Sequence, residues 1–271
     1  MCSTCGCAEG ARAVIVNPEG AKATSAHDAP HAPDHHHDAT RAYEHSHPHP
    51  HLEEQHRTIR LEQDILAKNN RLAEGNRGWF AGRNIFAVNL MSAPGAGKTT
   101  LLERTIRDLG SELTISVIEG DQETPRDAER IRAAGARAVQ INTGTGCHLD
   151  ADMLSRALRA LEPAPRSVVM IENVGNLVCP ALFDLGESAR VVIMSVTEGE
   201  DKPLKYPHMF RAADAMVLSK ADLLPYLEFD HARCVEYARR VNPRLELFTL
   251  SAVRGTGLDA WYEWLRRRGA S

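Results

Sequence analysis

The chain has 271 residues, a net charge of −4 and a pI near 6.4, and this balance provides no basic field that would attract nucleic acid. No stretch approaches the ~18 consecutive apolar residues of a membrane span, and the N-terminus has neither the basic nor the apolar region of a signal peptide. Nucleic acid and membrane are therefore excluded as partners, and we expect a cytoplasmic protein.

The N-terminus, MCSTCGC, places three thiols close together, at Cys2, Cys5 and Cys7. Cytoplasmic cysteines are kept reduced, so they are expected to be metal ligands or core residues rather than disulfides. Three thiolates are one short of a four-coordinate set, which the α-amine of Cys2 can complete if Met1 is removed. A planar S₃N set suits Ni²⁺ better than Zn²⁺, which prefers tetrahedral ligands. An accidental cluster of thiols is the alternative, and these residues alone do not choose the metal.

A histidine-rich tract follows, since 10 of the 13 histidines precede residue 60. Large apolar side chains are scarce between residues 8 and 50, so little burial is available to offset the loss of chain entropy on folding. We expect residues 1–56 to form a disordered metal-binding tail, whose imidazoles bind several Ni²⁺ or Zn²⁺ ions loosely. A solvated linker of biased composition is the alternative.

Residues 57–82 are predicted to form an amphipathic helical lead-in, and residues 83–271 a single globular domain. Apolar runs in the domain predict strands near 85–91, 114–118, 138–141, 168–171, 191–196, 215–218 and 245–250. Amphipathic stretches predict helices near 100–109, 125–134, 149–161, 230–241 and 258–268. Buried strands separated by helices predict a three-layer α/β fold with a mostly parallel sheet and with ligands at the carboxyl ends of the strands.

A phosphate-loop pattern occurs directly after the first of these strands, at residues 92–99, SAPGAGKT, with Ser92 in place of the first glycine. Strand, loop and helix follow one another as this P-loop motif requires. Backbone N–H groups of the loop can turn towards an anion, Lys98 can reach the outer phosphates, and the Thr99 hydroxyl can bind Mg²⁺. The nucleotide-binding residues predicted in this loop are Gly95, Ala96, Gly97, Lys98, Thr99 and Thr100.

Two acidic residues follow later strands, Asp121 in IEGD and Glu172 in VMIEN. Mg²⁺ requires oxygen ligands and usually keeps several waters, so one or two carboxylates near the phosphates suffice. We predict that Asp121 binds Mg²⁺ together with Thr99. The predicted catalytic residues are Lys98, Asp121 and Glu172. For either carboxylate taken alone, capping of a loop is the alternative role.

The base of the bound nucleotide is indicated by residues 219–222, Ser219-Lys220-Ala221-Asp222. This segment resembles the Asn-Lys-x-Asp element of GTPases, with Ser219 in place of Asn. A carboxylate at Asp222 can accept from both the ring N–H and the exocyclic amine of guanine, which adenine cannot match. The Lys220 stem can cover the face of the base, and Ser251-Ala252 resembles a short turn that also supports guanine. The pattern favours GTP over ATP, with an ATP-dependent kinase or transport ATPase as the alternative.

Soft ligands also occur inside the domain, where Gly146-Cys147-His148 is predicted to open a helix and Cys179 follows the strand that ends near Glu172. Both segments come at the carboxyl ends of strands. They can therefore meet near the nucleotide as two thiolates and an imidazole, with room for a fourth ligand. A purely structural Cys-His pair is the alternative, and Cys234 is expected to be a small buried hydrophobe.

In these motifs the chain resembles the HypB family, the hydrogenase nickel-incorporation GTPases related to the urease accessory GTPase UreG. The most specific matches are the N-terminal Cys motif, the P-loop, EGDQ at 119–122, GCHLDA at 146–151 and IENVGNLVCP at 171–180. The resemblance implies the fold of the signal-recognition and metal-chaperone GTPases and a GTP-dependent homodimer. It also implies a tight Ni²⁺ site at Cys2, Cys5 and Cys7. A second, Ni²⁺ or Zn²⁺ site is implied at Cys147, His148 and Cys179.

The resemblance further implies delivery of nickel to the [NiFe]-hydrogenase large-subunit precursor, with help from the partner HypA. We therefore expect a GTP-hydrolysing nickel metallochaperone that uses GTP and Mg²⁺, handles Ni²⁺ and Zn²⁺, and stores nickel in its histidine-rich tail. A metal-storage or buffering protein with a regulatory nucleotide domain is the alternative.

Overall fold

The computed structural model describes residues 14–16, 50–121 and 126–269, with side chains from residue 63 onward. Its strands are β1 Val14–Val16, β2 Phe86–Ser92, β3 Ile115–Asp121, β4 Arg137–Asn142, β5 Val168–Glu172, β6 Ala189–Ser195, β7 Ala215–Ser219 and β8 Glu246–Thr249. Its α-helices are α1 Pro50–Ala81, α2 Lys98–Leu109, α3 Arg126–Ala133, α4 Ala151–Leu161, α5 Lys202–Lys205, α6 Pro207–Ala212, α7 His231–Val241 and α8 Leu258–Gly269.

The strands form one sheet in the order β1-β4-β3-β5-β2-β6-β7-β8. Every pair from β4 to β8 is parallel, and β1 is antiparallel to β4 at the edge. β2 lies at the centre, between β5 and β6. The predicted mostly parallel sheet is therefore confirmed.

Helices cover both faces of this sheet because its central strands are apolar on both sides. All residues of β2, β5 and β7 are buried. One face packs against α2 and α8, with Trp261 and Trp264 stacked at the centre of that layer. The opposite face packs against α1 and α4 at one end and against α6 and α7 at the other. The predicted three-layer arrangement is thus present, and Cys234 is buried in it as expected.

Several boundaries differ from the prediction. α1 spans Pro50–Ala81 and so is longer than the predicted lead-in, and the short helices α5 and α6 have too few turns to show a periodic pattern. β1 forms within the predicted tail, whereas the remaining tail, with Cys2, Cys5, Cys7 and the tract before residue 50, lies outside the described residues.

The segment Gly146-Cys147-His148 does not open a helix, contrary to the prediction. It forms a turn, and α4 begins at Ala151 with Asp150 as its N-cap, whose carboxylate accepts a 2.7 Å hydrogen bond from the backbone N–H of Met153. A carboxylate cap satisfies a donor that the helix leaves free, so the helix starts there. No helix in the described ranges is long and apolar enough to cross a membrane.

Candidate nucleotide and metal site

The phosphate loop connects the central strand β2 to α2. Gly97 is the last residue before α2 and has a φ of 99°, a conformation that favours glycine. The Lys98 ammonium group donates a 2.9 Å hydrogen bond to the Ser92 hydroxyl, so the residue that replaces the first glycine holds this lysine. Burial lowers the pKa of Lys98, while Glu172 and other carboxylates nearby act in the opposite direction.

A cavity of about 530 Å³ lies over this loop, at the carboxyl ends of β3 and β5. Its walls include the predicted phosphate, Mg²⁺ and catalytic residues, together with one thiol: Gly95, Gly97, Lys98, Thr99, Thr100, Asp121, Cys147 and Glu172. The side chain of Ala96, also in this loop, is buried, and its backbone carbonyl accepts a hydrogen bond from the Ser219 hydroxyl. The fold therefore brings residues from distant parts of the chain into one space with the size and lining of a ligand site.

Glu172 and Thr99 are directly bonded within this cavity. The Thr99 hydroxyl donates a 2.8 Å hydrogen bond to Oε1 of Glu172. Burial raises the pKa of Glu172 to about 7, although Lys98 and the bond from Thr99 act to lower it. The charge of the Glu172 carboxylate is therefore costly in this buried position, and a cation nearby makes it more favourable.

Glu119, which belongs to the EGDQ match but had no predicted role of its own, also lines the cavity. It lies on β3 directly beside Glu172 of β5 in the parallel register, and both side chains are buried. Burial raises the pKa of Glu119 to about 9, with Glu172 and Asp121 adding to the effect. A charged residue in the otherwise apolar run ISVIEG was the available signal, because a buried strand rarely carries an acid without a role.

The acidic side of the cavity fits Mg²⁺ by its donor set. Among the described residues, Oε2 of Glu119 and Oε2 of Glu172 are buried side-chain atoms without a hydrogen-bond partner. Buried unpaired carboxylate oxygens are costly, and Mg²⁺ is a hard cation that prefers oxygen ligands. We infer that Thr99 and Asp121 would hold this ion and that the two glutamates would lie around it. Bound Mg²⁺ would neutralise phosphate charge.

α3 contributes two further charged residues to the same cavity, Asp127 and Arg130. The Arg130 guanidinium donates to Glu103 of α2 at 2.9 and 3.2 Å and to Asp127 at 3.0 Å. These bonds fix its planar group beside the phosphate loop. Neither residue stood out in the sequence, because a charge on an exposed helix is usually only solvated.

A second cavity, of about 200 Å³, adjoins the loop on the side of β7 and β8. Its lining includes all the residues predicted to contact the base: Lys220, Asp222, Ser251 and Ala252. Lys220 has a φ of 57°, and its ammonium group donates a 2.7 Å bond to the Gly95 carbonyl. Its side chain therefore connects the second cavity to the phosphate loop.

Cys147, His148 and Cys179 form a compact cluster of soft ligands. Their ligand atoms lie within 4.8 Å of one another, and the sulfur atoms of the two cysteines are 3.1 Å apart. The His148 ring stacks on Phe183 at a centroid distance of 3.9 Å, and burial lowers its pKa. A neutral imidazole beside two thiols is a donor set that suits Ni²⁺ or Zn²⁺.

The nucleotide cavity and this cluster are in direct contact. Cys147 belongs to both, because its side chain also lines the phosphate cavity. The segment between Glu172 and Cys179 lies against the phosphate loop at Gly175, where a Cβ atom would approach backbone and side-chain atoms of Pro94 to 3.0–3.1 Å. The phosphate loop and the segment that leads to Cys179 are therefore closely packed at Pro94 and Gly175.

Comparison with known proteins gives a consistent result. The family model for the CobW/HypB/UreG nucleotide-binding domain matches residues 86–249. The hydrogenase maturation factor HypB of Rhizobium leguminosarum bv. viciae is 61% identical over 211 residues, covering 78% of this chain and 71% of that protein. That of Escherichia coli (strain K12) is 56% identical over 211 residues, covering 78% and 73%.

Two solved structures share the fold. HypB from Helicobacter pylori in complex with nickel is 38% identical, with a TM-score of 0.70 over 74% of this chain and 95% of that one. HypB from Archaeoglobus fulgidus is 42% identical, with a TM-score of 0.70 over 75% and 99%. By sequence and by fold, the chain belongs to the HypB family of hydrogenase maturation factors.

Proposed function

We propose that this protein is a GTP-hydrolysing nickel metallochaperone that delivers Ni²⁺ to the [NiFe]-hydrogenase large-subunit precursor. The observation that carries the proposal is that Cys147 lines the phosphate cavity and also belongs to the soft-ligand cluster. A P-loop NTPase whose nucleotide pocket is joined to a thiolate–imidazole cluster is suited to change its metal affinity with nucleotide state. The relatives named for hydrogenase maturation and the nickel complex of the H. pylori protein support the choice of pathway and metal.

The nucleotide reaction is assigned to the cavity over the phosphate loop. Lys98 and the loop backbone bind the phosphates, and Thr99 and Asp121 would hold Mg²⁺. Glu172 positions the attacking water, or it moves with the segment up to Cys179 in response to the γ-phosphate. Lys220, Asp222, Ser251 and Ala252 surround guanine, which selects GTP.

Nickel is the cargo of the protein and passes from one binding site to another. Cys2, Cys5 and Cys7 form a tight Ni²⁺ site, and the histidine-rich tract provides a store. Cys147, His148 and Cys179 form an inner site for Ni²⁺ or Zn²⁺. A GTP-dependent homodimer and HypA are the partners. Closure of the phosphate loop acts through Pro94 and Gly175 on the segment that carries Cys179, so hydrolysis changes how the inner site holds its ion.

The test is a nickel and zinc titration of the full chain and of its Cys2→Ala and Cys147→Ala variants, with a GTP analogue, with GDP and without nucleotide. We expect each variant to lose one class of site and the Cys147 site to depend on nucleotide. Unchanged nickel binding in both variants would show that the histidines, and not these cysteines, bind the nickel. Identical affinity of the Cys147 site in all three nucleotide states would refute the coupling.

Delivery is distinguished from storage by deleting residues 8–56. A delivery GTPase should still support hydrogenase maturation when nickel is ample, because the Cys motif and the nucleotide domain remain. Loss of maturation at every nickel concentration, with the deleted protein stably folded, would favour the storage alternative.

A further inference from the structure

The helix that precedes the nucleotide domain, α1, is bonded to the domain through buried asparagines. Asn69 and Asn76 lie seven positions apart, hence on the same face of the helix, and are 5% and 4% exposed. The Asn69 side chain accepts a 2.9 Å hydrogen bond from the Ala151 N–H and donates one of 2.7 Å to the Asp184 carbonyl. Buried side-chain amides are costly unless bonded, so their geometry is strongly specified.

Asn76 binds the same two segments. Its amide donates to the Ala151 carbonyl at 2.8 Å and to the Leu185 carbonyl at 3.0 Å. Together with Asn69, it therefore joins the first residue of α4 to the loop at 184–185. The backbone N–H and carbonyl of Ala151 are both used in this way, which fixes its position from two directions.

Each of the two joined segments carries part of the soft-ligand cluster. Ala151 follows His148 by three residues, and Asp184 follows Cys179 by five. Phe183, the residue before Asp184, stacks on the His148 ring at a centroid distance of 3.9 Å. The asparagines thus hold the turn with Cys147 and His148 against the loop that begins at Cys179.

A second set of buried bonds holds the two segments from the side of the sheet. Oδ1 of the Asn173 side chain accepts a 3.1 Å hydrogen bond from the Leu149 N–H, and Nδ2 of the same side chain donates a 3.2 Å bond to Oδ1 of Asn89. Asn89 donates to Glu187 at 3.1 Å, and Glu187 accepts from the Leu185 N–H at 2.8 Å. These four bonds link the two segments through Asn173, Asn89 and Glu187, so a relative shift of the segments would break buried hydrogen bonds.

We propose that Asn69 and Asn76 are positioning residues of the inner metal site, which make α1 a structural part of that site. The inference rests on the proposed function, in which Cys147, His148 and Cys179 bind Ni²⁺. Neither asparagine touches the ligand atoms. They set the separation of the two segments that carry the ligands. Loss of groups that orient metal ligands directly weakens metal binding by roughly 10- to 100-fold, and we expect an effect at the lower end of that range here.

The chain contains a matched control at Asn242. This residue is also a buried asparagine, and its amide donates to two backbone carbonyls, those of Phe210 and Ala213, at 3.1 and 2.8 Å. It is the C-cap residue of α7, and the two carbonyls that it binds lie outside the segments at 147–151 and 179–185. Asn76→Ala and Asn242→Ala therefore remove equivalent bonds, and only the first removes bonds to the segments of the metal site.

The experiment measures alkylation of individual cysteines by peptide mass spectrometry in the full chain, as free Ni²⁺ is varied. We expect Asn76→Ala to raise the nickel concentration that half-protects Cys147 and Cys179 by about 10-fold or more. Asn242→Ala should change it by less than about 3-fold, at a similar loss of thermal stability. GTP-analogue affinity should stay close to that of the parent in both variants. Equal shifts of nickel protection in the two variants would overturn the proposal.

A metal-free readout separates this inference from the proposed function. The sulfur atoms of Cys147 and Cys179 are 3.1 Å apart. Diamide, a thiol oxidant that accepts two electrons and two protons, should therefore join them as a disulfide in the metal-free protein. Asn76→Ala should slow that reaction, whereas Asn242→Ala should not. If nickel never protects the two thiols of the parent protein, the proposed inner site fails. The oxidation rates test separately whether Asn76 holds Cys147 and Cys179 together, and equal rates in both variants would overturn that role.

Asn69→Ala provides a milder variant if Asn76→Ala does not fold. It leaves both bonds of Asn76 in place, so we expect a shift of nickel protection in the same direction and of smaller size. Cys234 serves as an internal standard, because it is fully buried and burial raises the pKa of its thiol to about 12. Its alkylation should remain negligible in every folded variant. A folded Asn69→Ala protein with unchanged nickel protection and unchanged oxidation rate would count against the proposal.

Discussion

The hydroxyl of Ser219 donates a 2.6 Å hydrogen bond to the carbonyl of Ala96, 123 residues earlier in the phosphate loop. Ser219 stands where the Asn-Lys-x-Asp element of GTPases, which residues 219–222 resemble, has asparagine. The next residue, Lys220, donates to the Gly95 carbonyl at 2.7 Å. The end of β7 is therefore bonded to two consecutive residues of the loop, and the serine retains a connection between base and phosphate sites.

Removing this connection should weaken nucleotide binding without changing the choice of base. In Ser219→Ala the Ala96 carbonyl loses a buried donor, and a hydrogen bond contributes a net ~0.5–1.5 kcal/mol. We expect affinities for both GTP and GDP to fall by about 2- to 10-fold, measured with fluorescent nucleotides. Ser219→Asn should recover most of the loss, because its amide can donate to the same carbonyl. A selective loss of GTP alone would contradict this role for Ser219.

The choice of base should depend on Asp222 instead. Asp222 lines the base cavity together with Ser251 and Ala252. In Asp222→Asn the carboxylate that accepts two guanine donors is lost, and bonds to a charged group contribute a net ~1.5–3 kcal/mol. We expect GTP affinity to fall by about 10- to 100-fold and xanthosine triphosphate to bind better than to the parent protein.

Calorimetric titration with GTP, ATP and xanthosine triphosphate checks this prediction, with Ser219→Ala as the comparison variant. An ATP-dependent enzyme would show the same ATP affinity before and after the Asp222 substitution and no gain of xanthosine triphosphate. That result would refute GTP as the nucleotide.

The phosphate loop and the order of strands and helices were predictable, because they depend on local patterns. Apolar runs mark β2 and β5, and the loop sequence marks the start of α2. The meeting of Cys147 with Cys179 also followed from local information, since both come after the carboxyl ends of strands in a parallel sheet. Their sulfur atoms are 3.1 Å apart.

Residues whose role arises only from long-range contacts were not predictable. Asn69 and Asn76 look like ordinary polar residues of an amphipathic helix, yet their partners lie 75–115 positions away. Arg130 likewise resembles a solvated charge until α3 places it beside the phosphate loop. Periodicity reports which face of a helix is apolar and gives no information about the partners of its buried polar groups.

Glu172 should be required for hydrolysis more than for binding. In Glu172→Gln an amide oxygen can still accept the bond from Thr99, so the loop retains its anchor. The negative charge is lost, and in the proposed mechanism this charge orients the attacking water or responds to the γ-phosphate. We expect the single-turnover rate of GTP hydrolysis to fall by about 100-fold or more, with GTP affinity changed by only a few-fold.

Glu236→Gln, on the exposed surface of α7, is the charge-matched control. A Glu172→Gln protein with the parent rate would exclude Glu172 from catalysis.

Nucleotide state and metal affinity should be coupled through Gly175. A methyl group at this position would lie 3.0 Å from Cα and 3.1 Å from the backbone nitrogen of Pro94, so either the phosphate loop or the segment leading to Cys179 must shift. We expect Gly175→Ala to shift the ratio of nickel affinities measured with a GTP analogue and with GDP towards one, because the two loops then no longer fit together in both states. Coupling free energies between sites are typically ~1–3 kcal/mol, so the parent ratio should lie between about 5 and 150.

Gly75→Ala, where a methyl group meets no atom within 4 Å, is the control and should preserve the parent ratio. A Gly175→Ala protein that keeps the parent ratio would show that the coupling travels by another route, of which the shared Cys147 is the structural alternative.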